Sequence, residues 1–296
     1  MNTKQNLSSK GGGSGAELGQ SSSSRVLVFG GSGLIGRHLV SKIDCVAPSS
    51  QDCDVRDFQA VNAIIKEVRP RVVINLAGQS NPRLCQDSYD LNINAVKNIC
   101  YSLSSFCGGA KFFQAGSINQ ILKPEEEYSI QKNKAEKVAL SYSRILDVIV
   151  ARFCTVEDFF RSDFIISQIV KSVQEYQKTK AKFHIRDMGA RKWFSSASDI
   201  SDAIIRSCDS TDSGAVYFGP RRSVSLEEIF CEVCAHFGIK ISKVGRSWID
   251  AERGSVVMNS QNYSNDAAEY NFGKPSSGGF VESKISDVIN TITLST

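Results

Sequence analysis

The chain has 296 residues, 41% of them hydrophobic, and a formal net charge of +4 at pH 7. This length can bury a full α/β core, in one large domain or two small ones. Lys and Arg are interspersed with Asp and Glu, so nucleic-acid binding is not indicated, and no apolar run is long enough to span a membrane. We therefore expect a soluble, cytoplasmic protein.

The amino-terminal segment and the cysteines indicate which part of the chain is ordered and in which compartment the protein resides. Residues 1–24 are mostly Ser, Gly, Lys and Gln, so we expect a flexible tail or tag. The nine cysteines are odd in number and lack framework spacing, which is typical of a reducing compartment. Cys231 and Cys234 form a C-x-x-C pair, but no second pair stands at zinc spacing. We predict that both are buried helix thiols, and we expect no metal site.

The first predicted element is a strand over residues 25–29, followed by a glycine-rich turn and a helix that continues to residue 40. A dinucleotide pyrophosphate needs backbone N–H donors, the positive end of a helix and an approach free of Cβ atoms. This order of elements predicts a dinucleotide-phosphate site; the alternative is a tight turn that binds no ligand. The residues expected to line the site are Gly30, Gly33, Leu34, Ile35, Gly36 and Arg37.

Strands and helices continue to alternate as far as residue 155. The predicted elements are a brief strand within 44–49, helices over 58–68, 89–105 and 128–143, and strands over 71–78, 111–115 and 147–153. Such alternation predicts an α/β fold with a Rossmann-like, doubly wound parallel sheet. We assign residues 25–155 to this NAD(P)-binding domain.

The second half of the chain has a looser pattern. It contains predicted helices over 164–179, 198–208 and 226–237, a loop over 185–190 and a strand over 215–218. We expect residues 156–193 and 211–296 to form a smaller, substrate-binding α/β cap over the carboxyl edge of the sheet, and 194–210 to return to the first domain.

Three residues form a candidate proton-transfer group. Tyr128 and Lys132 are four residues apart and would share one face of a helix, so the ammonium is expected to lower the pKa of the phenol. Ser117 is expected at the end of a strand, where its hydroxyl could bind a substrate oxygen; the alternative is a turn serine. Tyr176 and Lys180 have the same spacing, and we predict that they occupy a solvated helix end.

These residues bring a family resemblance into view. The chain, from about residue 25 to its end, resembles the extended short-chain dehydrogenase/reductases that act on nucleotide sugars. The resemblance rests on the glycine turn, on Ser117, Tyr128 and Lys132, and on the segments 52–57, 75–80 and 92–98. Parts of the chain resemble dTDP-4-dehydrorhamnose reductase, and other parts resemble GDP-mannose dehydratase and its partner GDP-4-keto-6-deoxymannose reductase.

The resemblance implies further site residues. Additional cofactor contacts would be Asp54, Val55, Leu76, Ala77, Gly78 and Asn92, together with Tyr128 and Lys132. Substrate contacts would be Gln79, Ser80, Asn119, Thr155, Arg191 and Arg253, with the two arginines on the diphosphate of a nucleotide sugar. The alternative for each arginine is an ordinary surface residue. The resemblance also implies a homodimer.

The chain departs from the family pattern in places that bear on activity. Residues 118–120 lack the acid that follows the catalytic serine or threonine in dehydratases, which disfavours dehydration. Residues 157–159 replace the usual Tyr-Gly-Pro, and Thr155 stands where an asparagine is usual. No acidic residue near 47–50 would hold the adenosine ribose, which favours NADPH over NAD, with Arg37 and Ser49 as contacts.

The sequence therefore predicts a reductase that transfers a hydride from NADPH to a keto carbon, C4, of a nucleotide-linked deoxyhexose. Two alternatives stay open. One is a 4-epimerase that uses the same three residues with tightly bound NAD, and the other is a non-catalytic, dinucleotide-binding regulatory protein.

Overall fold

The computed structural model describes residues 26–79, 84–85, 87–158, 164–253, 255–262, 275–281 and 284–293. In chain order the strands are β1 (Val26–Phe29), β2 (Val72–Asn75), β3 (Lys111–Ser117), β4 (Asp147–Phe153), β5 (Thr155–Glu157), β6 (Phe183–Asp187), β7 (Arg191–Lys192), β8 (Phe194–Ser196), β9 (Gly214–Gly219), β10 (Val224–Ser225), β11 (Ile241–Val244), β12 (Ser247–Asp250), β13 (Val256–Asn262) and β14 (Pro275–Phe280). The helices are α1 (Gly36–Val40), α2 (Phe58–Val68), α3 (Ala95–Phe106), α4 (Asn119–Leu122), α5 (Glu127–Ser141), α6 (Ile165–Thr179), α7 (Ala197–Cys208), α8 (Leu226–His236) and α9 (Ile285–Thr293). A single π-helical turn, Asp90–Asn94, leads into α3. The expected tail at residues 1–24 and the predicted substrate contact Ser80 lie outside the described residues.

The central sheet contains six parallel strands in the order β1-β2-β3-β4-β9-β14. A single parallel bridge between Leu27 and Val46 extends the sheet beyond β1, where the sequence predicted a brief strand. Since the strands are parallel, their carboxyl ends meet at one edge, which is where ligands bind in sheets of this kind. The predicted Rossmann-like α/β fold is confirmed.

Helices cover both faces of this sheet. On one face, α2, α3 and α5 pack against strand residues such as Leu27 and Phe112. On the other face, α1 and α7 pack against their strand neighbours Val28 and Phe113. Because successive side chains of a strand point to opposite faces, a strand that is buried on both sides needs a continuous apolar run.

A smaller unit is built around a four-stranded sheet in the order β11-β12-β13-β6. Helices α6, α8 and α9 pack on it through a core that includes Phe230 and Trp248. The sequence prediction of a loop at 185–190 is wrong in part, because β6 covers Phe183–Asp187. In this strand Ile185 is buried and its neighbours His184 and Arg186 are exposed, which is the alternation of a strand with one face on a core.

Two further details differ from the sequence prediction. Strands β9 and β14 pair within the central sheet, although the expected boundary placed 211–296 in the cap. Cys234 is fully buried as predicted, but Cys231, on the outer side of α8, is exposed.

Within the described ranges, no helix combines the length and the apolar character needed to cross a membrane.

Candidate active site

The glycine turn after β1 packs tightly against β2 and against itself. Gly30 has φ +79°, and a Cβ there would lie 2.5 Å from the backbone N of Ala77. A Cβ on Gly36 would collide with the carbonyl oxygen of Gly30, so both positions need glycine for packing alone. Gly33 is exposed, and a Cβ there would approach only the carbonyl oxygen of Gly30, at 3.1 Å. Gly33 is therefore the glycine whose missing side chain leaves room for a ligand.

This turn forms one wall of a cleft of about 390 Å³ at the carboxyl edge of the central sheet. The cleft continues past the end of β2 to β3, the start of α5 and the segment around β5. The predicted site residues that line it are Gly30, Gly33, Leu34, Ile35, Gly36, Leu76, Gly78, Ser117, Asn119, Tyr128, Lys132 and Thr155. The structure thus brings together residues that the sequence assigned separately to cofactor, catalysis and substrate.

The three candidate catalytic residues meet in this cleft. Ser117 is the last residue of β3, while Tyr128 and Lys132 lie on the first two turns of α5. All three side chains are buried or nearly so. The Lys132 ammonium donates a hydrogen bond to the carbonyl oxygen of Ala115 at 3.2 Å, and its Nζ lies 5.9 Å from the centre of the Tyr128 ring.

The electrostatics of the pair differ from the sequence prediction. Burial raises the pKa of Tyr128 to about 12, and a hydrogen bond with Ser117 offsets only part of this shift. Burial also lowers the pKa of Lys132 to about 8. The predicted lowering of the phenol's pKa is not found, because the loss of hydration on burial shifts this pKa in the opposite direction.

Buried amide side chains form hydrogen bonds with the segment after β2, which borders the cleft. Asn75 donates to Oε1 of Gln114 at 2.9 Å and accepts from the backbone N of Ala77 at 3.1 Å, which fixes the turn after β2. Asn92, predicted as a cofactor contact, accepts from the backbone N of Gln79 at 2.9 Å and donates to Gln131 at 2.7 Å. Asn92 therefore links the segment after β2 to α5. Sequence reasoning missed Gln114 and Gln131; the signal for Gln114 is a polar residue within the apolar strand β3.

The residues expected near the adenosine are not among the described residues that line the cleft, and their polar side chains contact the protein itself. Asp54 accepts hydrogen bonds from the side chain of Arg56 at 3.0 and 2.6 Å, and Val55 is buried against α3. Arg37 donates to the carbonyl oxygen of Gly33 at 3.2 Å. Ser49 donates to Oδ2 of Asp52 at 2.6 Å.

The two arginines predicted to bind a diphosphate contact the protein itself. Arg191 donates to the carbonyl oxygen of Ser223 at 2.7 Å and pairs with Glu228 at 3.3 Å. Arg253 is exposed beside Asp250, with its Nε 4.0 Å from the carboxylate. Neither is among the described residues that line the cleft.

In the second Tyr-x-x-x-Lys pair, Lys180 is exposed at a helix end as predicted, whereas Tyr176 is not solvated. Tyr176 is 1% exposed in the core of the cap, and its hydroxyl lies 2.6 Å from Oγ of Ser255. Lys180 caps the end of α6, with its Nζ 5.4 Å from the centre of the Tyr176 ring. Tyr176 is therefore a structural residue of the cap core and is not among the described residues that line the cleft.

The unusual acids at 157 and 158 are buried behind β5. Asp158 is 4% exposed, and its Oδ2 lies 2.7 Å from Nε2 of His38 on α1. Glu157 is 1% exposed at the end of β5.

Across the residues that the structure describes, no group of three or more His, Cys, Asp or Glu side chains is placed to hold a metal ion.

The sequence of this chain is similar to that of one known family. Residues 26–217, more than half of the chain, match the model of the NAD dependent epimerase/dehydratase family. No curated protein matches the chain in sequence.

Solved structures match over nearly the whole chain at low identity. RMD from Pseudomonas aeruginosa, complexed with NADPH, has a TM-score of 0.73 at 16% identity, over 92% of this chain and 98% of that one. UDP-N-acetylglucosamine 4-epimerase from Bacillus cereus has a TM-score of 0.71 at 14% identity, over 92% and 99%. dTDP-4-dehydrorhamnose reductase from Bacillus anthracis, in complex with NADP, has a TM-score of 0.67 at 13% identity, over 93% and 99%. At these identities the likeness concerns the fold.

Proposed function

Since the chain belongs to the NAD dependent epimerase/dehydratase family, we propose that it is an NADPH-dependent reductase that acts on the C4 keto group of a nucleotide-linked deoxyhexose. The observation that carries this proposal is the meeting of Ser117, Tyr128 and Lys132 in the cleft that begins at the glycine turn. A proton donor, a hydroxyl and a cation then surround one point where a carbonyl oxygen could lie.

The cleft fits a nicotinamide dinucleotide. Its volume of about 390 Å³ is in the range of small-molecule sites. The open space above Gly33 suits a pyrophosphate, and Gly78 and Lys132 lie at the far end, where the nicotinamide ribose would bind. When bound, this cofactor supplies the hydride.

The residues of the chain handle the proton. Tyr128 keeps its proton at neutral pH, as an ordinary phenol does, and burial raises its pKa further, to about 12, so it can donate that proton to the carbonyl oxygen as the carbon is reduced. Ser117 donates a hydrogen bond to the same oxygen and orients it. Lys132, with a pKa of about 8, is largely charged at neutral pH and stabilises the phenolate that the donation leaves.

Reduction and epimerisation begin from different protonation states of Tyr128. A 4-epimerase begins by removing a proton from the sugar hydroxyl, which requires a phenolate, whereas a reductase begins with a protonated phenol. The epimerase remains the second candidate, because UDP-N-acetylglucosamine 4-epimerase has nearly the same TM-score as RMD.

NADPH is the proposed cofactor, with NAD as the alternative. Residues 47–50, at the end of the predicted second strand, contain no acid that could bind the ribose diol, and Asp52, just beyond them, accepts hydrogen bonds from Ser49. Arg37 borders the glycine turn, where a 2′-phosphate could meet its guanidinium. Structures of RMD with NADPH and of dTDP-4-dehydrorhamnose reductase with NADP are consistent with this choice.

The substrate is proposed from the other end of the cleft. Thr155 and Asn119 line it, and Gln79 stands beside the end of β2, so these side chains are the candidates for the sugar. Arg191 would have to exchange its contact with Glu228 for a diphosphate, whereas Arg253 is exposed. On the strength of the family, we propose a nucleotide sugar as the substrate and a homodimer as the assembly.

The test is direct. Nucleotide released from the purified protein is identified, and NADPH consumption is followed with a 4-keto-6-deoxy nucleotide sugar. Consumption with an initially empty protein supports the reductase. Stoichiometric bound NAD with conversion of a 4-hydroxy nucleotide sugar supports the epimerase, and cofactor binding without any turnover supports a regulatory protein.

A further inference from the structure

Gln120 lies directly behind the candidate catalytic serine. It is on α4, is 5% exposed, and its Oε1 accepts a hydrogen bond from the backbone N of Ser117 at 2.8 Å. Its Nε2 donates to Oδ1 of Asn133 at 3.0 Å and to Oε2 of Glu136 at 2.8 Å. Since a backbone N–H can only donate and a carboxylate can only accept, these partners fix which end of the amide is which.

The contacts of Gln120 continue to the helix that carries the phenol. Asn133 and Glu136 lie on α5, the helix of Tyr128 and Lys132. Glu136 in turn accepts from Nε of Arg152, on β4, at 3.0 Å, and this ion pair is mostly buried. One amide therefore connects the end of β3 to α5, and the anchored ion pair keeps the acceptor of that amide in place.

The space for this amide comes from the residue before the serine. A Cβ on Gly116 would lie 2.8 Å from Oε1 of Gln120 and 3.0 Å from the carbonyl oxygen of Ala151. Any larger residue at 116 would push the carboxamide away from the backbone N of Ser117. Without the amide, that N–H would be a buried donor with no partner, and the end of β3 would have to move to satisfy it.

We propose that Gln120 is a positioning residue that sets the distance between the Ser117 hydroxyl and the Tyr128 phenol. This inference rests on the proposed reductase function and adds to it a determinant of turnover that touches neither substrate nor cofactor. Ser117 and Tyr128 must contact the same carbonyl oxygen, and they sit on different elements. A shift of about 1 Å between such groups can cost about 100-fold in rate.

The experiment compares Gln120→Met, Gln120→Glu and the double variant Gln120→Glu/Glu136→Gln with the native chain. Methionine keeps the length and loses the hydrogen bonds, so kcat should fall about 10- to 100-fold while KM and the NADPH Kd stay within about twofold. Glutamate places a second carboxylate against Glu136 and should lower kcat at least as much. In the double variant an amide at 136 can donate to the carboxylate at 120, and kcat should recover at least about fivefold.

The control is Gln59→Met, on the exposed side of α2, which should leave kcat unchanged. Circular dichroism and thermal unfolding verify that each variant is folded, and the double variant supplies the answer if Gln120→Met does not fold. An active native chain with an equally active Gln120→Met variant would overturn the positioning role alone, as would a double variant no better than Gln120→Glu. A native chain without turnover would overturn the proposed function and this role together.

Discussion

Nε2 of His38 lies 2.7 Å from Oδ2 of Asp158, although 120 residues separate them. The contact joins α1, which follows the glycine turn, to the segment after β5, which borders the opposite wall of the cleft. Because Asp158 is buried, its carboxylate depends on this imidazole for a partner that can donate.

Replacing His38 by Ala should therefore destabilise the protein. The loss leaves a buried carboxylate without its donor, and we expect the free energy of unfolding to fall by about 1–3 kcal/mol. Urea denaturation measures this change. Lys240→Ala is the control, because its ion pair with Glu252 is exposed on both sides and should contribute less than about 1 kcal/mol. Equal effects of the two variants would contradict a structural role for the His38 contact.

Removing the phenol of Tyr128 should abolish turnover without unfolding the chain. Tyr128→Phe loses the proton donor, so we expect kcat for NADPH oxidation to fall by about 10²- to 10⁴-fold. Tyr176→Phe is the matched control, since it loses a hydrogen bond to Ser255 within the cap and should cost about 1 kcal/mol of stability with little change in kcat. Similar activity in both variants would remove Tyr128 from the mechanism.

The pH dependence of turnover should follow Lys132. Its pKa is lowered to about 8, so the ammonium loses its proton as the pH rises through about 8, well before the phenol, whose pKa is about 12. Since the cation stabilises the phenolate that forms, kcat should decline on the alkaline side of pH 8. In Lys132→Arg the decline should move to higher pH, because a guanidinium stays charged. A kcat that is constant from pH 7 to 10 in the native protein is incompatible with this role.

Substitutions at two glycines of the turn should have different effects, one on cofactor binding and the other on stability. Gly33→Ala adds a methyl group where only the Gly30 carbonyl oxygen is close, so the protein should fold and bind NADPH at least about tenfold more weakly. Gly30→Ala forces a side chain into a left-handed conformation and against Ala77, and should cost about 1–3 kcal/mol or more of stability. Fluorescence titration and thermal unfolding distinguish the two; unchanged NADPH affinity in Gly33→Ala would argue against a pyrophosphate at the turn.

Arg37 should determine the preference between cofactors. If its guanidinium meets a 2′-phosphate, Arg37→Ala should weaken NADPH binding by about tenfold and leave NADH binding nearly unchanged. The ratio of the two dissociation constants is the measurement. A parallel loss for both cofactors would show that Arg37 supports the turn through its bond to the Gly33 carbonyl, and does not recognise the phosphate.

Local sequence signals predicted the first half of the fold well. The bounds of α2 and β4 match the prediction, because Asp57 caps α2 through the backbone N of Gln59 at 2.8 Å, and Arg69 ends it in a left-handed conformation. The cap was harder, since β6 alternates over only five residues and its partner strand β13 lies more than 70 residues further along the chain.

Many of the predicted site residues line one cleft, whereas Arg191 and Arg253 do not, and the energetics of the site were not predictable. A spacing of four residues places Tyr128 and Lys132 on one helix face, but it does not reveal that both would be buried, and burial decides the direction of both pKa shifts. Likewise, the contact of Arg191 with Ser223 joins residues 32 apart, and no local pattern indicates it.

The order of the strands also has a consequence for biosynthesis. Pro275, in β14, pairs with Tyr217, in β9, so a ribosome must translate about 60 further residues after β9 before the outer side of β9 can be covered. Until then the nascent polypeptide presents an open edge that invites intermolecular pairing and aggregation. Premature termination ahead of β14 should therefore yield insoluble product in cells, even though every described residue that lines the cleft has already been made.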